Sequence, residues 1–152
     1  MHKINNGRLI LAGVVTAVIL AVLDDIDNGL LLAQGWTNGL KAFGLPPISV
    51  KGIIAMNLWC VAIGFLGIWL YAAMRPRFGA GPKTALITAA VVWAFAWPLA
   101  MLAPVVTHLI PKAMAINACL LGIPEIAIAL LVGAAIYKEE SSGTDRVIKA
   151  AA

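Results

Sequence analysis

Only a handful of residues in this chain have types and positions that could do chemistry, and most are acids set in apolar sequence. Glu125 follows Pro124 near the middle of an apolar run, residues 113–137. Asp24, Asp25, Asp27 and Asn28 close another such run, residues 9–28. Asn57 and Asn117 add two amides in similar surroundings, and no Lys or Arg occurs inside either run to balance the acids. A charge in a hydrocarbon layer is costly and is kept where it pairs, faces a cavity or moves an ion. Carboxylates converging from two helices hold a hard cation or relay a proton. The competing reading is structural: Glu125 as an uncharged acid hydrogen-bonded to a neighbouring helix, and the aspartates paired with Lys41, Lys51 and Lys112. Pro124 sharpens interest in its neighbour, because it has no N–H and frees the carbonyl of Leu120.

Other chemistries find little support. Cys60 and Cys119 lie apart in apolar runs and read as packing residues, and His2 and His108 are the only histidines. No metal-ligand spacing, Walker-type loop, HExxH or Ser/His/Asp arrangement is present, so neither a metal site nor an enzymatic activity is expected. Trp93 and Trp97, four residues apart, would suit stacking on a quinone or pigment. Bulky packing is the reading preferred for them, and no cofactor is expected.

These residues need elements to position them, and the composition says which. Of 152 residues, 62% are apolar and 12% are charged, with a mean hydropathy of +0.95. Water-soluble domains carry about twice that charge, so the lipid bilayer is the expected partner. The net charge of +4 is spread in ones to threes between apolar runs, the pattern of membrane-flanking charge rather than of a nucleic-acid-binding face.

Four apolar runs, at about 9–28, 53–74, 84–106 and 113–137, each approach the ~20 residues that cross a bilayer as a helix. Short connections predict an all-α, up-down bundle of four transmembrane helices. Residues 1–140 form one domain in this reading, and 141–152 a short polar cytoplasmic tail. Eight Lys and Arg fall on the side of the termini and three, Lys41, Lys51 and Lys112, on the other, which places both termini in the cytoplasm. In the first outer loop, Trp36, Leu40 and Phe43 recur at i, i+4 and i+7 ahead of Pro46 and Pro47 and predict a short interfacial helix.

Helices in lipid associate through small residues, and Gly13, Gly64, Gly67, Gly122 and Gly133 mark the expected seams. At 1.5 Å per residue Asp24 lies ~22 Å from the start of its run, and Glu125 ~18 Å from the end of its own. Both are thus at similar height. The polar residues Glu125, Asp24, Asp27, Asn28, Asn57 and Asn117 form the candidate interior site for an ion or proton.

Residues 69–85, Trp-Leu-Tyr-Ala-Ala-Met-Arg-Pro-Arg-Phe-Gly-Ala-Gly-Pro-Lys-Thr-Ala, together with Gly44-Leu-Pro-Pro47, resemble a family of small four-span bacterial membrane proteins with no assigned activity. That resemblance implies a multi-pass protein of the bacterial inner membrane and carries over no functional residue. The expected function is a non-catalytic, structural or accessory subunit packing in a homo-oligomer or with other membrane subunits. The alternative is a small proton- or cation-coupled transporter using Glu125 and Asp24.

Overall fold

The computed structural model describes residues 5–138; the tail at 141–152 lies outside them. The described residues are helical, with no strand among them. Helix α1 spans Asn6–Ile26 and runs on through a wider π-helical turn, Asp27–Leu31. Helix α2 is Ala33–Ala42, α3 is Val50–Phe78, and α4 is Pro82–Ala94. A second π-helical segment, Phe95–Leu99, joins α4 to α5, Ala100–Val106. Helix α6, Lys112–Ile136, completes the chain. Four helical stretches are long and apolar enough to cross a membrane: Asn6–Leu31, Val50–Phe78, Pro82–Val106 and Lys112–Ile136.

The helix ends follow from local chemistry. The Asn5 side chain accepts from the Arg8 N–H at 3.0 Å, and the Ser49 hydroxyl accepts from the Gly52 N–H at 3.2 Å, so each satisfies a donor that the first turn leaves open. Gly79 and Gly81 take φ of 83° and 130°, which a side chain would resist, and Pro82 then opens α4 with its φ already set. That tight turn makes α3 and α4 antiparallel neighbours.

Around the bundle, α1 packs against α3, α3 against α4, α4 against α6, and α6 back against α1. This is the up-down order. On α1, Ala12, Gly13, Thr16, Ala17 and Leu20 are buried, whereas Ile10, Val14, Val18 and Val22 are exposed. Two faces at helical period, one of small residues inward and one of branched residues outward, suit a helix with lipid behind it. The close approaches are at glycine. A methyl group on Gly64 would come within 2.7 Å of the Ala17 Cα, and one on Gly13 within 2.6 Å of the Phe65 ring. Gly67 sits beneath Leu130, Gly133 beneath Thr16 and Ile68, and Gly122 beneath the Trp97 indole.

The end of the bundle at the α3–α4 turn is shut. Thr16 and Thr88 are buried, and their hydroxyls donate to the carbonyls four residues back, Ala12 and Thr84, each at 2.8 Å, which lets them sit in a dry interior. Below them Tyr71 and Tyr137 meet edge to face with centroids 6.1 Å apart, and the Arg75 guanidinium lies 5.8 Å and 5.2 Å from the two ring centres. The Tyr71 hydroxyl accepts from the Gly81 N–H at 3.2 Å. Tyr71 and Tyr137 are almost wholly buried, so these rings are part of the packing rather than of a lipid-facing belt.

Helix α2 lies at the other end. A methyl on its Gly35 would contact Met114 of α6, and α2 shares one cleft with the start of α3 and another with residues 109–114. It therefore bridges the ends of both helical hairpins.

Candidate functional site

The inner wall of α6 brings Glu125 into the bundle. Gly122, Glu125, Ile126, Ala129 and Gly133 share its buried face, and Glu125 retains 4% of its accessible surface. Thirteen residues separate it from the start of α6 and eleven from its end, so it stands at roughly mid-span, ~17–20 Å from either end. No N–H or O–H donor reaches its buried Oε2. Its nearest polar neighbour is another acid: the Asp27 carboxyl is within hydrogen-bonding reach, and Asp24 lies close by. Asp24 in turn accepts from the Cys60 thiol of α3. Three spans thus contribute to one acidic cluster, and no basic residue lines it.

Helical spacing makes this convergence. Asp24, Asp27 and Asn28 stand at i, i+3 and i+4 and share one side of the first span, where α1 passes into the π-helical turn. The Asn28 amide donates to the Asp24 carbonyl at 2.9 Å, closing a backbone acceptor at the irregularity. Its side-chain oxygen accepts from the Trp36 indole N–H at 2.8 Å. Through that bond α2 is tied across the opening of the bundle.

A cavity of about 400 Å³ lies between the acids and α2, with a wall from every span. Asp24 and Glu125 supply its carboxyls; Trp36, Trp59 and Trp97 supply rings; Cys60, Met56 and Met101 supply sulfur; no Lys or Arg lines it. A second, outer cleft of about 510 Å³ lies between α2 and the start of α3, has Lys41 in its wall, and shares Asp24, Asn28, Trp36 and Met56 with the first. The hydrogen-bonded Trp36–Asn28 pair is the partition between them.

The chain matches no protein-family model, no curated protein and no solved structure. What the site can do therefore rests on its geometry.

Not every residue expected at the interior is there. Asn117 is exposed on the outer side of α6. Eight residues from Glu125 at about 100° each leave it about 80° round the helix. Asn57 is half-buried, but it belongs to a separate contact: its amide lies 3.3 Å from both Asp25 carboxylate oxygens and 3.2 Å from the Ile53 carbonyl. The six-residue site is thus corrected to Asp24, Asp27, Asn28 and Glu125, with Asn57 engaged by Asp25. The exposed Asp25 is held by that amide, not by a lysine as the structural reading supposed. Trp36, Trp59 and Cys60 were missed. Only the spacing of Cys60 and Gly64, on one face of α3, hinted that the thiol pointed inward.

The two tryptophans of the third span divide. The Trp93 indole donates to the Cys119 carbonyl of α6 at 2.8 Å and is packing. Trp97, in the second π-helical segment beside Pro98, lies over Gly122 and lines the cavity. Among the described residues, no group of three or more His, Cys, Asp or Glu side chains is placed to hold a metal ion.

Proposed function

We propose that this chain is a small multi-pass membrane carrier in which Glu125, with Asp24 and Asp27, exchanges a proton for a cation. The observation that supports this reading most is Glu125 itself, 4% exposed with no donor on Oε2, beside Asp24 in a cavity that no Lys or Arg lines. Ionised carboxyls only accept hydrogen bonds, so two that face each other need a proton or a positive charge between them. Either satisfies the contact, and since both would sit against the same oxygens, a proton and a cation compete for it. Mutual exclusion of this kind is what couples two fluxes.

The surroundings support a carrier over an open pore. The cavity reaches the acids from the α2 end, while the half of the bundle beyond Glu125 is closed by Thr16, Thr88 and the Tyr71–Arg75–Tyr137 cluster. Three of the irregularities in the spans, the two π-helical segments and Pro124, lie beside the acids or the cavity wall. Broken helices beside an intramembrane site are where carriers bind and bend.

We take the termini to be cytoplasmic and α2 to lie on the outer face of a bacterial inner membrane, from the lysine and arginine asymmetry. A second reading, an accessory subunit within a homo-oligomer or a larger membrane complex, draws support from the exposed Asn117 and from Ala100 and Ala103, which leave a small-residue strip on the outside of α5. Such a strip suits a helix neighbour.

The deciding experiment uses the full chain in vesicles loaded with a pH-sensitive dye and diluted into salts of sodium, potassium, alkylammonium and arylammonium ions. At least one cation should drive a lumenal pH change that Glu125→Gln reduces tenfold or more and Asp24→Asn slows. Equal responses from wild type and Glu125→Gln, or none with any cation, would overturn the carrier.

A further inference from the structure

We propose that the cavity between Glu125 and α2 binds a monovalent organic cation with an apolar, aromatic-sized body. The proposal rests on the carrier reading for its physiological meaning, but on the cavity alone for its chemistry.

Three observations select this class. The first is charge. The cavity contains the Asp24 and Glu125 carboxyls and no basic side chain, so an anion would meet only repulsion and a neutral molecule would leave the acids unanswered. Glu125 Oε2 is buried without a donor in a residue 4% exposed, which leaves a position for a positive group. Next comes the wall. Trp36, Trp59 and Trp97 reach the cavity from α2, α3 and the second π-helical segment, with Met56 and Met101 between them. Indole faces attract cations, most strongly when water is excluded, and thioethers adapt to irregular apolar shapes. A hydrated inorganic ion gains nothing from such walls, and among the described residues no three His, Cys, Asp or Glu side chains are placed to hold a metal ion. The last is size. About 400 Å³ is in the range of small-molecule sites and well beyond that of a bare ion.

The Trp36 indole has a particular place in this arrangement. It lines both the inner cavity and the outer cleft, and its N–H is held by Asn28, the residue after Asp27. A cation arriving along the outer cleft passes one basic residue, Lys41, and two acids, Asp24 and Asp25, with the Trp36 ring, before it meets Glu125. Binding then replaces the proton on Glu125: one cation enters, one proton leaves, and the charge of the site is unchanged.

The test is calorimetric titration of the detergent-solubilised full chain with benzyltrimethylammonium, alongside its uncharged carbon isostere neopentylbenzene and the anion benzenesulfonate. The expected result is saturable binding of the ammonium at about one per chain, with release of a proton to a pH indicator, and no saturable binding of the other two. Glu125→Gln should abolish binding. Trp97→Leu should weaken it about tenfold, in line with loss of one desolvated cation–π contact. Trp59→Leu, at a position 59% exposed on the cavity rim, tests the same point with little risk to folding and should weaken binding severalfold. Absence of saturable ammonium binding, equal binding of the neutral isostere, or unchanged affinity in Glu125→Gln overturns the proposal. Glu125-dependent vesicle flux with an inorganic cation and no ammonium binding would remove this substrate class and leave the carrier. Ammonium binding without coupled flux would do the reverse.

Discussion

Glu125 and Asn117 show how much depends on helical phase. Both are polar residues of α6, yet one is buried against two aspartates and the other is exposed. The same geometry decides what glycine is for. At Gly64 the nearest atoms to an added methyl are the Ala17 Cα and N, 2.7 and 2.8 Å away. Backbone cannot swing aside, so Gly64→Ala must push α1 and α3 apart along their contact. We expect a loss of about 1–3 kcal/mol in unfolding from detergent micelles, the usual cost of overpacking. Gly39→Ala is the opposite case, since nothing lies within 4 Å in the middle of α2. There the substitution should be neutral or add up to about 1 kcal/mol from helix propensity. Equal effects at the two positions, measured by thermal or denaturant unfolding, would show that close backbone approach does not hold this bundle. The acid at 125 was legible in the sequence because a carboxyl in mid-span has few ordinary explanations. Cys60 was not, because a thiol in apolar sequence looks the same whether it packs or donates to Asp24.

At the scale of the element, hydropathy located the spans to within a few residues, because a run of about twenty apolar residues averages over local detail. That averaging also hid the two π-helical segments. A residue inserted in a turn changes which side chains face inward without changing how apolar the segment is. Trp36 was invisible for a related reason: its bond to Asn28 crosses eight residues and a break at Leu32, whereas periodicity relates only i, i+3 and i+4 neighbours. The amphipathic pattern predicted helix α2 but assigned its tryptophan to the membrane surface. Both irregularities carry predictions. Pro98→Ala restores an N–H inside Phe95–Leu99, so a regular helix becomes accessible there. It should leave the protein folded and at least as stable, while turning Trp97 away from the cavity and lowering ammonium affinity severalfold. Unchanged affinity, with unfolding unaltered, would mean that packing on Gly122 rather than Pro98 places the ring. Trp36→Phe keeps the apolar body and removes the indole donor to Asn28. Faster hydrogen exchange confined to residues 33–42 is expected, at a cost of about 1 kcal/mol for one hydrogen bond. Exchange unchanged in α2 would show that the bond does not hold the partition.

For the whole molecule, the asymmetry between its two ends matters more than any single contact. One end is closed around Arg75 and carries Arg8, Arg77, Lys83 and Lys138; the other opens into the cavity and carries Lys41, Lys51 and Lys112. If the more basic end is cytoplasmic, the proposed carrier has its acids reachable from outside and closed off from within. This can be tested without knowing the substrate. In a background with Cys60→Ala and Cys119→Ala, single cysteines replace Lys41 at the end of α2 and Lys138 beyond α6, both exposed. A membrane-impermeant maleimide applied to intact cells should label position 41 and should reach position 138 only after lysis. The converse pattern would reverse the direction assigned to the cavity, and with it the side on which cation replaces proton. Labelling of both positions in intact cells would mean that the chain inserts in two orientations despite eight basic residues on one side against three on the other.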